Sequence, residues 1–293
     1  MKTKATPYIF LLGILFGTTL VVSRFSVEQF EPTTYIGLRL ALSTLGFATI
    51  YSFQIGKRHW PKNRQLWKHA AVMGVLGTAI PMTGIVSSLQ YLSSGLAAIL
   101  ITVNPAITVL LAHFFLDDEA LTRLKGIGVL LALSGAVLLA AMGETGLADI
   151  ETKSPIGYVL IFGAMIFGSL ATIYARKFMQ DLDAFDVTGV RLFIAALVVF
   201  PLSIIFFGFD ISLVDAQGIT ALIYAAIVGT FLGMLLSFYN IQRFGATAAV
   251  MSSYVIPVIA SLTGVLLLHE QITIPMAIGM VLIILGVWLI NRG

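Results

Sequence analysis

Residues 95–135 read GLAAILITVNPAITVLLAHFFLDDEALTRLKGIGVLLALSG, and residues 245–286 read GATAAVMSSYVIPVIASLTGVLLLHEQITIPMAIGMVLIILG. In the first stretch an apolar run is interrupted by Asn104 and Pro105, closed by Glu119 and Thr122, and followed by a second run carrying Gly128 and Gly135. In the other, Pro257, Glu270, Thr273, Gly279 and Gly286 recur at almost the same spacings about 151 residues later. One unit has been built twice. Outward from these stretches the correspondence continues. Phe16-Gly17 answers Phe167-Gly168, Gly37 and Arg39 answer Gly189 and Arg191, Gly77, Thr78 and Met82 answer Gly229, Thr230 and Met234, and Gln90 answers Gln242.

The composition suits lipid rather than water. Apolar residues make up 58% of the 293 residues and charged ones only 11%, with a mean hydropathy of +0.99; a soluble domain carries about a quarter charged residues. A spanning helix needs roughly 20 mostly apolar residues. Runs of that length fall at about 7–23, 34–53, 69–90, 95–115 and 124–142, then at 155–175, 187–207, 217–239, 246–268 and 274–290. The expected fold class is an all-α integral membrane protein of ten transmembrane helices, with one five-helix repeat in residues 1–143 and the other in 144–293. The first run follows Lys2 and Lys4 as a signal peptide would, but it lacks a small-x-small cleavage site before Arg24 and reads as the first helix.

Lysine and arginine gather in short cytoplasmic loops. One side of this topology collects Lys2, Lys4, Lys57, Arg58, Lys62, Arg64, Lys68, Arg123, Lys125, Arg176, Lys177, Arg243 and Arg292, whereas the other holds only Arg24 and Lys153. Both termini are therefore expected in the cytoplasm. This distribution accounts for the net charge of +3 without invoking nucleic acid. Because each half has an odd number of spans, the two copies cross in opposite senses, forming an inverted repeat about an axis in the membrane plane. Exchanging the conformations of two such halves turns an inward-open molecule into an outward-open one.

With these residues in hand, the chain resembles the drug/metabolite transporter superfamily, and within it the ten-helix proteins with two EamA domains. The resemblance is carried by Ala98, Pro105, Glu119, Gly128 and Gly135, by Ala248, Pro257, Glu270, Gly279 and Gly286, and by Gly17 and Gly168 in the leading helix of each half. It covers nearly the whole chain and implies a five-plus-five inverted bundle moving small organic metabolites, often outward. Aromatic amino-acid exporters of this kind are similar in architecture, although no aromatic substrate-site pattern matches residue by residue. Trp60, Trp67 and Trp288 fall in a loop or near membrane ends, where tryptophan anchors the interface.

The candidate site residues lie where polar or helix-breaking groups enter the spans. Pro105 removes a backbone donor near mid-bilayer, and Asn104 brings an amide to the same depth; this amide is either a substrate ligand or an interhelical hydrogen bond. Pro257, with Ser253 and Tyr254 about a turn earlier, is the expected opposite wall of the same cavity. Pro81 and Gly233 occupy corresponding positions as hinges, a role also expected of Pro105 and Pro257, with Thr78, Met82, Thr230 and Met234 within a turn of Pro81 and Gly233 as substrate-contacting candidates. Methionine offers a soft, adaptable surface to an apolar ligand. Arg39 and Arg191 are the basic residues inside predicted spans. A guanidinium cannot shed its charge, so each requires a partner, and depth pairs Arg39 with Glu270 and Arg191 with Glu119, as alternating gates or as static anchors.

Other functions find little support. With no cysteine and four dispersed histidines, His59, His69, His113 and His269, no metal site, cofactor or catalytic cluster is expected, and no phosphate-binding loop marks a pump. No Asp or Glu falls mid-span, so a proton relay is not expected and exchange or facilitated diffusion is. The expected partners are a small-molecule substrate and the lipid bilayer. Neutral or aromatic amino acids and related amphipathic compounds rank first among substrates, with cationic amines or drugs, or a non-transporting membrane scaffold, as alternatives. The inner (plasma) membrane is the expected location. The last helix of each half is either a dimer face or a brace within the bundle.

Overall fold

The computed structural model describes residues 2–116, 119–147, 155–244 and 246–292. Gly245 and Lys153 lie outside the described residues, as do the side chains of Gln242 and Ala248. Among the described residues all regular structure is helical.

Among the described residues, ten rods follow one another. The first half comprises α1 (Lys2–Ser26), α2 (Pro32–Ser52), a third rod made of α3 (Arg64–Gly74) and α4 (Ile80–Ser88), a fourth made of α5 (Ser94–Ile101) and α6 (Asn104–Phe115), and α7 (Arg123–Met142). In the second half these are α8 (Ile156–Phe178), α9 (Ala184–Phe207), a rod made of α10 (Ala216–Tyr224) and α11 (Gly233–Phe244), α12 (Ala246–Leu268) and α13 (Ile274–Ile290). Eight of the rods are long and apolar enough to cross a membrane by length and composition, and Ile274–Ile290 is a shorter apolar helix. The remaining rod, α2, buries Thr34, Arg39 and Ser43 along its length. It is polar inward because it faces the middle of the bundle.

Local sequence sets the starts of these helices. Glu31 accepts from Thr34 N at 2.7 Å ahead of Pro32 in the first turn of α2. Thr122 and Thr273, repeated in sequence, are repeated in role: their hydroxyls accept from Lys125 N and Met276 N, both at 3.2 Å, to cap α7 and α13. A side-chain oxygen at this position satisfies an amide that the first helical turn leaves open.

The third and eighth rods each contain a widened, π-helical segment, Val75–Ala79 and Ala225–Leu232. Pro81 and Gly233 stand directly after them, at the first turn of α4 and of α11. The two segments hold the repeated Gly77-Thr78 and Gly229-Thr230 pairs, so the repeat extends to backbone geometry. Pro105 and Pro257 diverge, by contrast. The fourth rod breaks between Ile101 and Asn104, whereas Pro257 is carried inside the continuous helix α12.

Packing couples the halves. Helix α1 lies on α12 and on the α10–α11 rod, and correspondingly α8 lies on α6 and α4; α2 packs on α9, and α7 on α13. The glycine-spaced helices meet most closely. A Cβ added at Gly128 would stand 2.6 Å from the carbonyl oxygen of Gly286, and one added at Gly286 would stand 2.5 Å from that of Gly128. Small residues permit this backbone-to-backbone approach, so the last helix of each half braces the other within one chain.

The end of the bundle remote from the termini is laced shut. Ser93 N donates to Thr145 O at 2.8 Å, Gln271 N to Gly146 O at 2.9 Å, and Tyr158 Oη to Glu144 O at 2.7 Å. Beneath these loops Tyr35, Ile36, Leu89, Leu92 and Leu96 are fully buried.

Candidate functional site

Two cavities lie between the helices and share part of their lining. The deeper, of about 230 Å3, is walled by Phe16, Thr19 and Ser23 of α1, Arg39 of α2, Met82, Ile85 and Val86 of α4, Ile101 of α5, Gly229 and Thr230 of the π-helical segment, Met234 of α11 and Ile256 of α12. The other, of about 360 Å3, lies toward the end that carries the termini and is walled by Met73, Ala175, Met179, Leu182, Val187, Thr188, Arg191 and Ser237. Phe16 and Met234 line both. Each cavity therefore contains one of the repeat-related arginines, and a ring and a thioether stand at their junction.

Arg39 is buried and held by hydroxyls. Its Nε donates to Thr230 Oγ1 at 2.7 Å and its Nη1 to Ser23 Oγ at 3.1 Å. The π-helical turn makes the first contact possible, because its wide pitch leaves carbonyls open: Thr230 Oγ1 donates to Ala225 O at 3.2 Å, and Ala226 O accepts from Ser43 Oγ at 2.9 Å. Thr230 thus gives its proton to its own backbone and its lone pair to Arg39. Gly229, next to Thr230, lets α1 approach this segment, since a Cβ there would collide with Thr19 Oγ1. Arg191 is served differently. Its Nη2 donates to Met234 Sδ at 3.3 Å, and its buried Nε has no hydrogen-bond partner among the described residues.

The expected ion pairs are not formed. Glu270 accepts from Ser94 N at 2.7 Å, Ser94 Oγ at 2.8 Å and Gly95 N at 3.2 Å, so its carboxylate caps the N-terminus of α5 instead of meeting Arg39. Open amides and the positive end of a helix dipole satisfy that charge. Glu119 pairs with Arg176 at the end of α8 and with Lys125 at 3.5 Å, while Arg191 stays deeper in α9. The hydrogen bond from Arg176 holds the Glu119 carboxyl below the usual carboxylate range.

Other sequence candidates sort by where their polar atoms go. Met82, Thr230 and Met234 line the cavities. Thr78 is buried behind its π-helical turn, its hydroxyl donating to Met73 O at 3.3 Å. Asn104 sits at the break in the fourth rod but bonds sideways: Ser169 Oγ donates to its Oδ1 at 3.0 Å, and Thr108 Oγ1 reaches both Asn104 O and Ser169 Oγ. The amide joins α6 to α8, which is the interhelical role weighed against substrate binding. Tyr254 Oη accepts from Asn291 Nδ2 at 3.1 Å near the end of α13, and Ser253 offers its carbonyl to Thr102 Oγ1 at 3.4 Å. From α12, Ile256 reaches the cavity instead. Sequence reasoning missed Thr19, Ser23, Met73, Met179 and Ser237, small or apolar residues that carry no signal until packing sets their direction.

A multi-pass helical bundle whose repeated halves enclose polar-tipped cavities belongs to the class of membrane transport proteins. The chain belongs to the EamA-like transporter family, of the drug/metabolite transporter superfamily, whose profile matches it twice, over residues 3–141 and 155–292. It is similar to an uncharacterized transporter of Archaeoglobus fulgidus, 25% identical over 279 residues that cover 94% of each chain. The uncharacterized transporter YoaV of Bacillus subtilis is 24% identical over 94% of this chain and 92% of its own. The uncharacterized inner membrane transporter YedA of Escherichia coli K12 is 25% identical over 87% of this chain and 80% of its own. A crystal structure with a TM-score of 0.65 and 22% identity covers 98% of this chain and 96% of that one, and shares its fold.

Proposed function

We propose that the protein moves small amphipathic organic molecules across the inner (plasma) membrane by alternating access, exporting neutral or aromatic amino acids or related compounds. One observation carries this reading: the two cavities, each with its own arginine, meet at Phe16 and Met234, and the π-helical segment of the second half lines one of them. Such an arrangement suits a path whose two ends open in turn. In this reading residues 1–143 and 144–293 form inverted repeats, and both termini lie in the cytoplasm, where lysine and arginine collect. The name of the Escherichia coli relative supports the inner membrane, and the direction of export rests on family resemblance.

The alternative of cationic amines is weakened by the two arginines, which give the path positive potential. The test is counterflow of labelled amino acids into proteoliposomes, comparing the intact chain with Met234→Trp, which fills the junction of the cavities. Saturable flux lost in Met234→Trp with the fold retained is the expected result. Absence of flux for every amino acid, amine and nucleoside from folded protein overturns the transport reading and favours a scaffold.

A further inference from the structure

Neither arginine inside the bundle, the buried Arg39 or the half-buried Arg191, has an acidic partner: among the described residues, no carboxylate oxygen lies within 4.0 Å of either guanidinium. Arginine cannot escape burial by losing its proton, and an uncompensated charge inside a membrane is expensive and marks function. Arg39 has offset this with two hydroxyls. Arg191 has not, for its Nη2 rests on a thioether, a weak acceptor, and its buried Nε is unpartnered. That Nε belongs to a side chain lining a cavity of about 360 Å3, large enough for a small organic molecule.

We propose that Arg191 binds the carboxylate of the transported molecule, with its apolar body against Phe16, Met73 and Met179. This deepens the transport reading above and rests on it. A guanidinium presents adjacent N–H groups in a fork that matches the two oxygens of a carboxylate. The charge count selects among anions: among the described residues the cavity lining holds one guanidinium and no lysine, so one negative charge is balanced while a phosphate dianion leaves a second unmatched. The apolar wall sets the other half of the ligand. Three methionines, Met73, Met179 and Met234, and the Phe16 ring surround the charged tip, and thioethers adapt to apolar groups of varied shape. Among the described residues the lining contains no Asp or Glu, so an ammonium group is tolerated by the site rather than recognised. The ligand class is an amphipathic monocarboxylate, amino acids included.

The test compares four molecules of one shape: phenylalanine, 3-phenylpropanoate, phenylalaninamide and phenethylamine, with phenyl phosphate as a fifth. Binding is measured by titration calorimetry on the intact chain in nanodiscs, and each compound also competes in counterflow with the unsubstituted protein. Both carboxylates are expected to bind and compete, and the amide and amine to do so at least about tenfold more weakly, as loss of a charge-assisted hydrogen bond implies. Arg191→Gln removes the preference and Arg191→Lys, which restores charge without the fork, recovers part of it. Equal binding of amide and carboxylate, tighter binding of phenyl phosphate, or unchanged selectivity in Arg191→Gln overturns the proposal. The competition arm needs no variant, so a misfolded substitution leaves the test intact. Flux without carboxylate preference sinks this site alone, whereas carboxylate binding without flux of any solute sinks the transport reading and keeps the site.

Discussion

Arg39 and Glu270 illustrate what a single charge does when burial leaves it few options. The two sit toward the same end of the bundle, and depth alone pairs them, yet each finds nearer partners in three dimensions. Glu270 takes three donors at the start of α5, and Arg39 takes two hydroxyls at the centre. A double-mutant cycle distinguishes these geometries. Arg39→Ala and Glu270→Gln are each expected to lower stability, by about 1–3 kcal/mol, since each orphans buried polar groups. Their effects should then add to within about 0.5 kcal/mol, as for residues that share no partner. A coupling well above that in chemical-denaturation experiments would restore the ion pair. Asn104 teaches the same lesson: a polar group at a helix break was legible, but its choice of Ser169 over the cavity was not.

At the scale of helices, the repeated glycines and the repeated π-helical turns perform different tasks. Gly128 and Gly286 bring α7 and α13 into backbone contact, which holds the halves together away from the cavities. Gly128→Leu is expected to destabilise the chain by roughly 1–3 kcal/mol through overpacking while leaving particle mass in light scattering unchanged. Loss of a dimer with stability intact would instead make these helices a face between copies. The π-helical segments work at the centre, where a widened turn frees carbonyls and turns Thr230 toward Arg39. Such segments are common at functional sites. Their existence was not legible in sequence, because glycine and threonine also suit an ordinary helix; the sequence pointed only to hinges at Pro81 and Gly233, which stand just beyond them.

Across the whole molecule the asymmetry between the two ends is the main result. Loops and fully buried side chains close the end remote from the termini, while the larger cavity lies toward the other. The two arginines differ in step with this, satisfied on the closed side and unsatisfied on the other. Thiol labelling measures the difference directly, since the chain has no cysteine of its own. Ser237→Cys is expected to react with a membrane-impermeant maleimide added on the side of the termini, and Val86→Cys to resist it from the opposite side. Equal reactivity of both from their own sides would mean that the far end is open in the membrane.

Sequence by itself determined the number of rods, their doubling and their medium. These follow from apolar run length and from motifs spaced along the chain, and no long-range packing is needed to read them. It also located stretches in which helices depart from regularity, at Pro81, Pro105 and Gly233. Tertiary structure decided which polar groups meet. Arg39 chose Thr230 and Ser23, Glu270 chose the amides of α5, and Asn104 chose α8, because a buried polar side chain bonds to whatever donor or acceptor the packed helices bring within about 3 Å. Position along a helix fixes depth, while rotation about its axis and the approach of its neighbours fix the partner, and both are set only when the ten rods pack together.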